Sequence, residues 1–180
     1  NPYGKQLKEV DTYAIQQEIL ENKLIRSANV FITSDGGIRA VIQERIPVLR
    51  IIPDNGNSYY IDKQGEAMPL SNRNTAYLPL ATGNIKEDFA ATDLYKFALY
   101  LYDNAFWNAQ IEQIVVRSKT DVSLITRIGD HEVLLGSLDN YEDKLARLKT
   151  FYTEALPNTG WNRYSKLNLK YDKQVIGTKR

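Results

Sequence analysis

Ile111-Glu112-Gln113-Ile114-Val115-Val116-Arg117, Val122-Ser123-Leu124-Ile125-Thr126-Arg127-Ile128 and Glu132-Val133-Leu134-Leu135 follow one another with only short polar connections, before Gly136 ends the run. Each segment is rich in β-branched residues, which favour strands, and Gly129-Asp130-His131 reads as the turn between the second and third. The chain then changes period. Tyr141, Leu145, Leu148, Tyr152 and Leu156 recur at helical spacing, and Asp139-Asn140-Tyr141-Glu142 places an acid at the N-cap with a Glu three residues on. Pro157 and Gly160 are expected to close that helix. Tyr164 to Tyr171 alternates like a half-buried strand, which Gln174 to Ile176 would extend. Strands, one helix and a returning strand point to an α+β fold in which helices pack on a mixed sheet.

Upstream, Asp88 to Asn104 reads as another helix, with Ala91, Leu94, Phe97, Ala98 and Leu101 on one face. Val48 to Leu80 reads as turns and short strands: Ser58 to Asp62, and an edge-like Ala67-Met68-Pro69-Leu70, separated by Pro53-Asp54-Asn55-Gly56-Asn57 and Lys63-Gln64-Gly65. The first fifty residues read as a small α+β unit. Ile15, Ile19 and Leu20 share a helical face that Asp11 or Thr12 can cap, and a further helical turn is expected over Asn22 to Ser27. Ala28 to Thr33 and Ile38 to Glu44 flank Ser34-Asp35-Gly36-Gly37, a hairpin whose glycines can take the positive φ of a tight turn, and Pro47 ends it.

The 180 residues are 43% hydrophobic and 25% charged, which fits one large or two small folded domains. No run approaches the roughly 18 apolar residues of a membrane span. Lys plus Arg number 23 and Asp plus Glu 22, a net +1 that argues against nucleic-acid binding. The charge is unevenly placed. Arg163, Lys166, Lys170, Lys173, Lys179 and Arg180 face a single acid, Asp172, so the last eighteen residues carry +5 and the rest −4.

Little in the sequence suggests catalysis. Without cysteine there is no thiolate nucleophile or Cys-based zinc site, and the single histidine, His131, is expected in a solvated turn. Neither a nucleophile elbow nor a phosphate loop nor a dinucleotide fingerprint occurs. Glu87-Asp88 and Glu142-Asp143 sit at predicted helix starts, where the helix dipole explains them. Asp54-Asn55-Gly56-Asn57 lacks the ligand spacing of a calcium loop. No catalytic residue, cofactor site or metal site is expected. Twelve tyrosines and two tryptophans leave open a secreted module that holds a glycan or peptide on surface aromatics, although most of them fall on predicted helices and strands.

Five fragments occur in order along almost the whole chain: Glu44-Arg45-x-Pro47, Tyr60-Ile61-Asp62-x-x-Gly65, Trp107-x-x-Gln110-Ile111-x-x-Ile114, Val133-x-Leu135-Gly136 followed by Lys144-Leu145, and Leu169-Lys170-Tyr171. Together they resemble the extracytoplasmic region of the bacterial cell-division family FtsQ/DivIB, in its Bacteroidetes form. The resemblance implies a POTRA domain over residues 1–50 and a larger β domain over 51–180. It also implies a single-pass inner-membrane anchor upstream and a periplasmic location at the division site. Little before Asp11 matches the family's first POTRA strand, so the sequence is expected to begin inside that domain, leaving its sheet short of one strand.

The resemblance further implies a noncatalytic scaffold that binds bitopic partners of the FtsB/FtsL type at the last strands of the β domain, with other division proteins meeting the POTRA part. Carried onto this chain, the docking segment is Lys170, Tyr171, Asp172, Lys173, Gln174, Val175, Ile176 and Gly177. A terminal edge strand has unpaired N–H and C=O groups that a partner strand can complete. Lysines on such an edge also guard against aggregation, so Lys170 and Lys173 have a structural reading beside the functional one.

Overall fold

The computed structural model describes residues 9–70 and 78–180. Two units divide between Ile46 and Pro47.

In the first unit, α1 (Thr12–Leu20) begins where the Asp11 side chain accepts the Ala14 N–H at 3.0 Å. It half-buries Ile15, Ile19 and Leu20. The helical turn expected over Asn22 to Ser27 does not form. Asn22 ends the helix with an Asx turn, its Oδ1 accepting from the Leu24 N–H and its carbonyl from the Ile25 N–H, which launches β1 (Ile25–Ile32) directly. β1 pairs antiparallel with β2 (Ile38–Glu44). Of the two turn glycines only Gly36 has a positive φ, 82°.

The second unit is built on a nine-stranded sheet, ordered β11-β10-β9-β8-β7-β6-β3-β4-β5. Its strands are β3 (Pro47–Pro53), β4 (Tyr59–Asp62), β5 (Ala67–Met68), β6 (Leu80–Gly83), β7 (Ile111–Ser118), β8 (Asp121–Thr126), β9 (Glu132–Gly136), β10 (Tyr164–Asn168) and β11 (Ile176–Lys179). The division expected after Arg50 falls inside β3, which pairs with β4 from Pro47 onward. Part of the expected Val48–Leu80 stretch, residues 71–77, lies outside the described residues.

The sheet is mixed. The pairs β3/β6, β6/β7 and β9/β10 are parallel and the others antiparallel. A parallel pair cannot be joined by a tight turn, so β6/β7 and β9/β10 are each linked through helices. The first link holds α2 (Glu87–Phe89), a π-helical turn (Ala90–Leu94), α3 (Tyr95–Asp103) and α4 (Ala105–Gln110). The second holds α5 (Tyr141–Thr150), a π-helical turn (Phe151–Ala155) and α6 (Leu156–Thr159).

Inward residues of neighbouring strands face one another: Leu49 opposite Ile61, Ile51 opposite Ala81, Ala81 opposite Ile114, Ile114 opposite Leu124, Leu124 opposite Val133, and Val133 opposite Leu167. All are buried in one cluster with Phe89, Leu94, Phe97, Leu101, Trp107, Leu145, Leu148, Tyr152 and Leu156 from the helices. The two-residue period of each strand thus turns one face of the sheet to the helices.

Three expectations about the helices are corrected. The π-helical turn adds a residue to the first helical run, so that Ala90 rather than Ala91 is buried in line with Leu94. Asp139 does not cap α5. Asn140 stands at the N-cap in the left-handed region, φ 51°, which Asn tolerates, and the helix starts on its carbonyl, which accepts from Lys144 N–H at 3.2 Å. Pro157 does not end the helix either: it stands at the second position of α6, directly after the π-helical turn, and the run continues until Gly160 makes the stop.

Candidate functional site

β10 ends at Asn168, not Tyr171. The Asn168 Oδ1 accepts the Lys170 N–H at 2.9 Å, an Asx turn that takes the chain out of the ladder. Gln174 to Ile176 therefore does not prolong that strand. The chain reverses and returns as β11, antiparallel to β10 with Leu167 opposite Gly177 and Asn168 opposite Ile176. Among the described residues, β11 is the edge of the sheet.

Its open side is fixed by geometry. Arg180 N–H donates to the Arg163 carbonyl at 3.2 Å, and Ser165 Oγ donates to the Thr178 carbonyl at 3.3 Å, so Thr178 and Arg180 turn their main-chain groups toward β10. By the alternation of an antiparallel strand, the N–H and C=O of Gly177 and Lys179 point away from the sheet. Gly177 also has a steric role. A Cβ there would lie 2.5 Å from the Tyr164 ring, so the ring can cross the strand only over a glycine.

The eight candidate residues split between two settings. Ile176 and Gly177 lie on β11, while Lys170 to Val175 form the connection before it. Tyr171 and Ile176 are exposed, at 55% and 42%, and Val175 packs partly buried against the core. Asp172 is exposed in the turn, beside Lys173 at φ 62°. Gln174 and Tyr171 offer their carbonyls to the Arg147 guanidinium at 2.8 and 2.6 Å.

The basic end is partly neutralised within the chain. Lys170 Nζ is 3.2 Å from the Asp121 carboxylate, Lys166 Nζ 3.9 Å from Glu132, and the Arg180 guanidinium 3.5 Å from the Asp130 carboxylate. Glu132 belongs to a tighter group: Arg117 donates to it at 2.7 Å and Ser123 Oγ at 2.6 Å. Burial raises the Glu132 carboxyl, but those hydrogen bonds and the Arg117 and Lys166 charges bring it below its ordinary value. Among the described residues, Lys173 and Lys179 have no acidic partner within salt-bridge distance.

His131 is not a solvated turn residue. It is 3% exposed, with Nε2 2.6 Å from the Tyr152 hydroxyl, because the turn folds back over an aromatic group formed by Tyr152, Trp107 and Trp161. Burial holds its pKa below the ordinary imidazole value, and burial pushes the Tyr152 hydroxyl up to about 12. Trp107 and Tyr60 are also buried, so these aromatics serve packing. Glu87-Asp88 and Glu142-Asp143 lie in the first turns of α2 and α5.

Lys179, with its outward main chain, and Arg147 stood outside the candidate set. The outward phase of Lys179 depends on where β11 begins, which the alternation of Tyr164 to Tyr171 obscures. Nothing in the helical pattern marks Arg147.

Among solved structures, the chain is similar to the major extracytoplasmic domain of the trans isomer of the cell-division protein DivIB from Geobacillus stearothermophilus. The two are 17% identical, with 64% of this chain and 98% of that chain covered and a TM-score of 0.45. No curated protein matches the sequence. A family model described as FtsQ/DivIB, C-terminal related, matches residues 46–178, and one described as a POTRA-like domain matches residues 1–43. Since the first match takes in the whole nine-stranded sheet except its last residue, the chain belongs to the FtsQ/DivIB family of bacterial cell-division proteins, with a POTRA-like N-terminal part.

Proposed function

We propose that this region is the periplasmic part of a noncatalytic division scaffold, held at the inner membrane by a single-pass helix upstream, which recruits an FtsB/FtsL-type bitopic protein by strand addition along β11. The observation that carries this reading is the open side of β11, where by the alternation of the strand the main-chain groups of Gly177 and Lys179 face outward. A partner strand would complete those groups while its side chains met the exposed Ile176 and Tyr171. Family membership supports a divisome partner in general, and the POTRA-like part is proposed to meet other division proteins.

Titration of the isotope-labelled chain with the periplasmic segment of the cognate FtsB-type protein tests this. The amides of Ile176 to Lys179 should shift first. Lys179→Pro should weaken binding about tenfold or more, because proline removes an outward donor and leaves the bonds to β10 in place. Shifts confined to another surface, or unchanged affinity in Lys179→Pro, would sink strand addition here.

A further inference from the structure

We infer that Arg147 is a positioning residue for the β11 edge: its guanidinium, reaching from α5, clamps the connection between β10 and β11 and so sets the register in which β11 is presented. The inference rests on the proposed docking role of β11 for its functional meaning, but the clamp stands on the geometry alone.

Arg147 is half-buried on the last turn of α5. Its Nη1 donates to the Tyr171 carbonyl at 2.6 Å and the Gln174 carbonyl at 2.8 Å, and its Nη2 to the Leu169 carbonyl at 3.4 Å. Three carbonyls of one connection thus converge on one planar fork. That fork offers donors in several fixed directions at once, which a lysine ammonium at the end of a flexible stem does not.

The clamp matters because β11 does little to hold itself. None of its four residues is fully buried, so no apolar side chain in the strand ties it to the core. Side-chain burial therefore does not set its register, which rests on the Tyr164 ring over Gly177, the Arg180 contacts with Asp130 and the connection before the strand, and a slip of one residue reverses both its faces. Here a slip would turn the main-chain groups of Gly177 and Lys179 toward β10 and present those of Ile176 and Thr178 to a partner. The connection is otherwise held near its ends, by the buried Leu169, whose N–H donates to the Leu134 carbonyl at 2.9 Å, by Lys170 on Asn168 and Asp121, and by the half-buried Val175. Between them Lys173 sits at φ 62°, a left-handed conformation uncommon for a residue with a Cβ. Arg147 grips the carbonyls on either side of that residue.

The test compares wild type with Arg147→Lys, which keeps the charge and loses the fork. Amide hydrogen exchange is read at Thr178 and Arg180, which face β10, and at Leu124 and Val133 in the core, while affinity for the cognate FtsB-type segment is measured in parallel. Exchange at Thr178 and Arg180 should quicken at least tenfold, exchange at Leu124 and Val133 should stay within twofold, and affinity should fall about tenfold. Unchanged exchange at Thr178 and Arg180 overturns the clamp. Equal acceleration at all four sites also overturns it, since Arg147 would then support the fold as a whole. If the wild type does not bind the segment, the docking proposal fails while the exchange comparison still decides the clamp.

Discussion

The imidazole of His131 lies beneath the β8–β9 turn, with Tyr152 from the second helical run on one side and the Gly129 main chain close above it. Tyr152 passes the contact on to Thr126 on β8 at 3.5 Å. Burial is the main reason that its pKa is low. Arg180 lowers it further, while the Trp161 carbonyl and Asp130 act in the opposite sense. The unfolded imidazole takes up a proton near pH 6.5, the folded one only at lower pH, so in between the unfolded chain binds more protons. Stability is therefore full above about pH 6.5 and falls as pH drops through it. Urea midpoints measured from about pH 8 to about pH 5 should show this fall in wild type and not in His131→Phe, which keeps a ring against Tyr152. As the only histidine, it leaves no other imidazole to mimic the effect. An equal fall in both proteins would overturn the assignment. The sequence showed the turn, but burial of His131 comes from Tyr152 and Trp161, some twenty and thirty residues away, and no local pattern reports that.

At the scale of elements, the helical face Tyr141, Leu145, Leu148, Tyr152 and Leu156 was readable because a 3.6-residue period survives even when a helix widens for one turn. The π-helical turn at Phe151–Ala155 left all five on the inward side, whereas the one at Ala90–Leu94 moved burial from Ala91 to Ala90. The end of β10 was less legible. Leu169 continues the apolar alternation and is fully buried, yet it sits in the connection, held by a single main-chain bond to Leu134. Leu148 gives the helix face an energetic test. It is fully buried in the cluster that joins α5 to the sheet, and its removal leaves a cavity among large neighbours that cannot all collapse. Leu148→Ala should cost about 2–5 kcal/mol in denaturant unfolding. A loss near zero would mean that α5 does not pack through this face.

For the whole molecule, strand runs and helical periods gave the class of fold and the order of elements, while the sheet order joins β3 to β6 and β9 to β10 through pairings distant in sequence. Charge shows the same division between local and distant information. The +5 of the last eighteen residues is a property of sequence, but which cations remain available depends on acids far away: Asp121 for Lys170, Glu132 for Lys166 and Asp130 for Arg180. Of the two lysines in the docking segment, Lys170 and Lys173, the first is thus already engaged by Asp121, and an acidic partner would meet Lys173 and Lys179 instead. Exposed charges act through solvent, and their attraction is screened over about 10 Å at ~0.1 M salt. If the docking segment presents acids to these two lysines, affinity should weaken steadily from ~0.05 to ~0.5 M salt. Lys173→Gln combined with Lys179→Gln should flatten that dependence, because the charges that generate it are gone. Lys170→Gln combined with Asp121→Asn should leave the slope close to wild type, since it removes a pair with no net charge. A salt-independent affinity in wild type would return both lysines to the role of protecting an exposed edge from other strands.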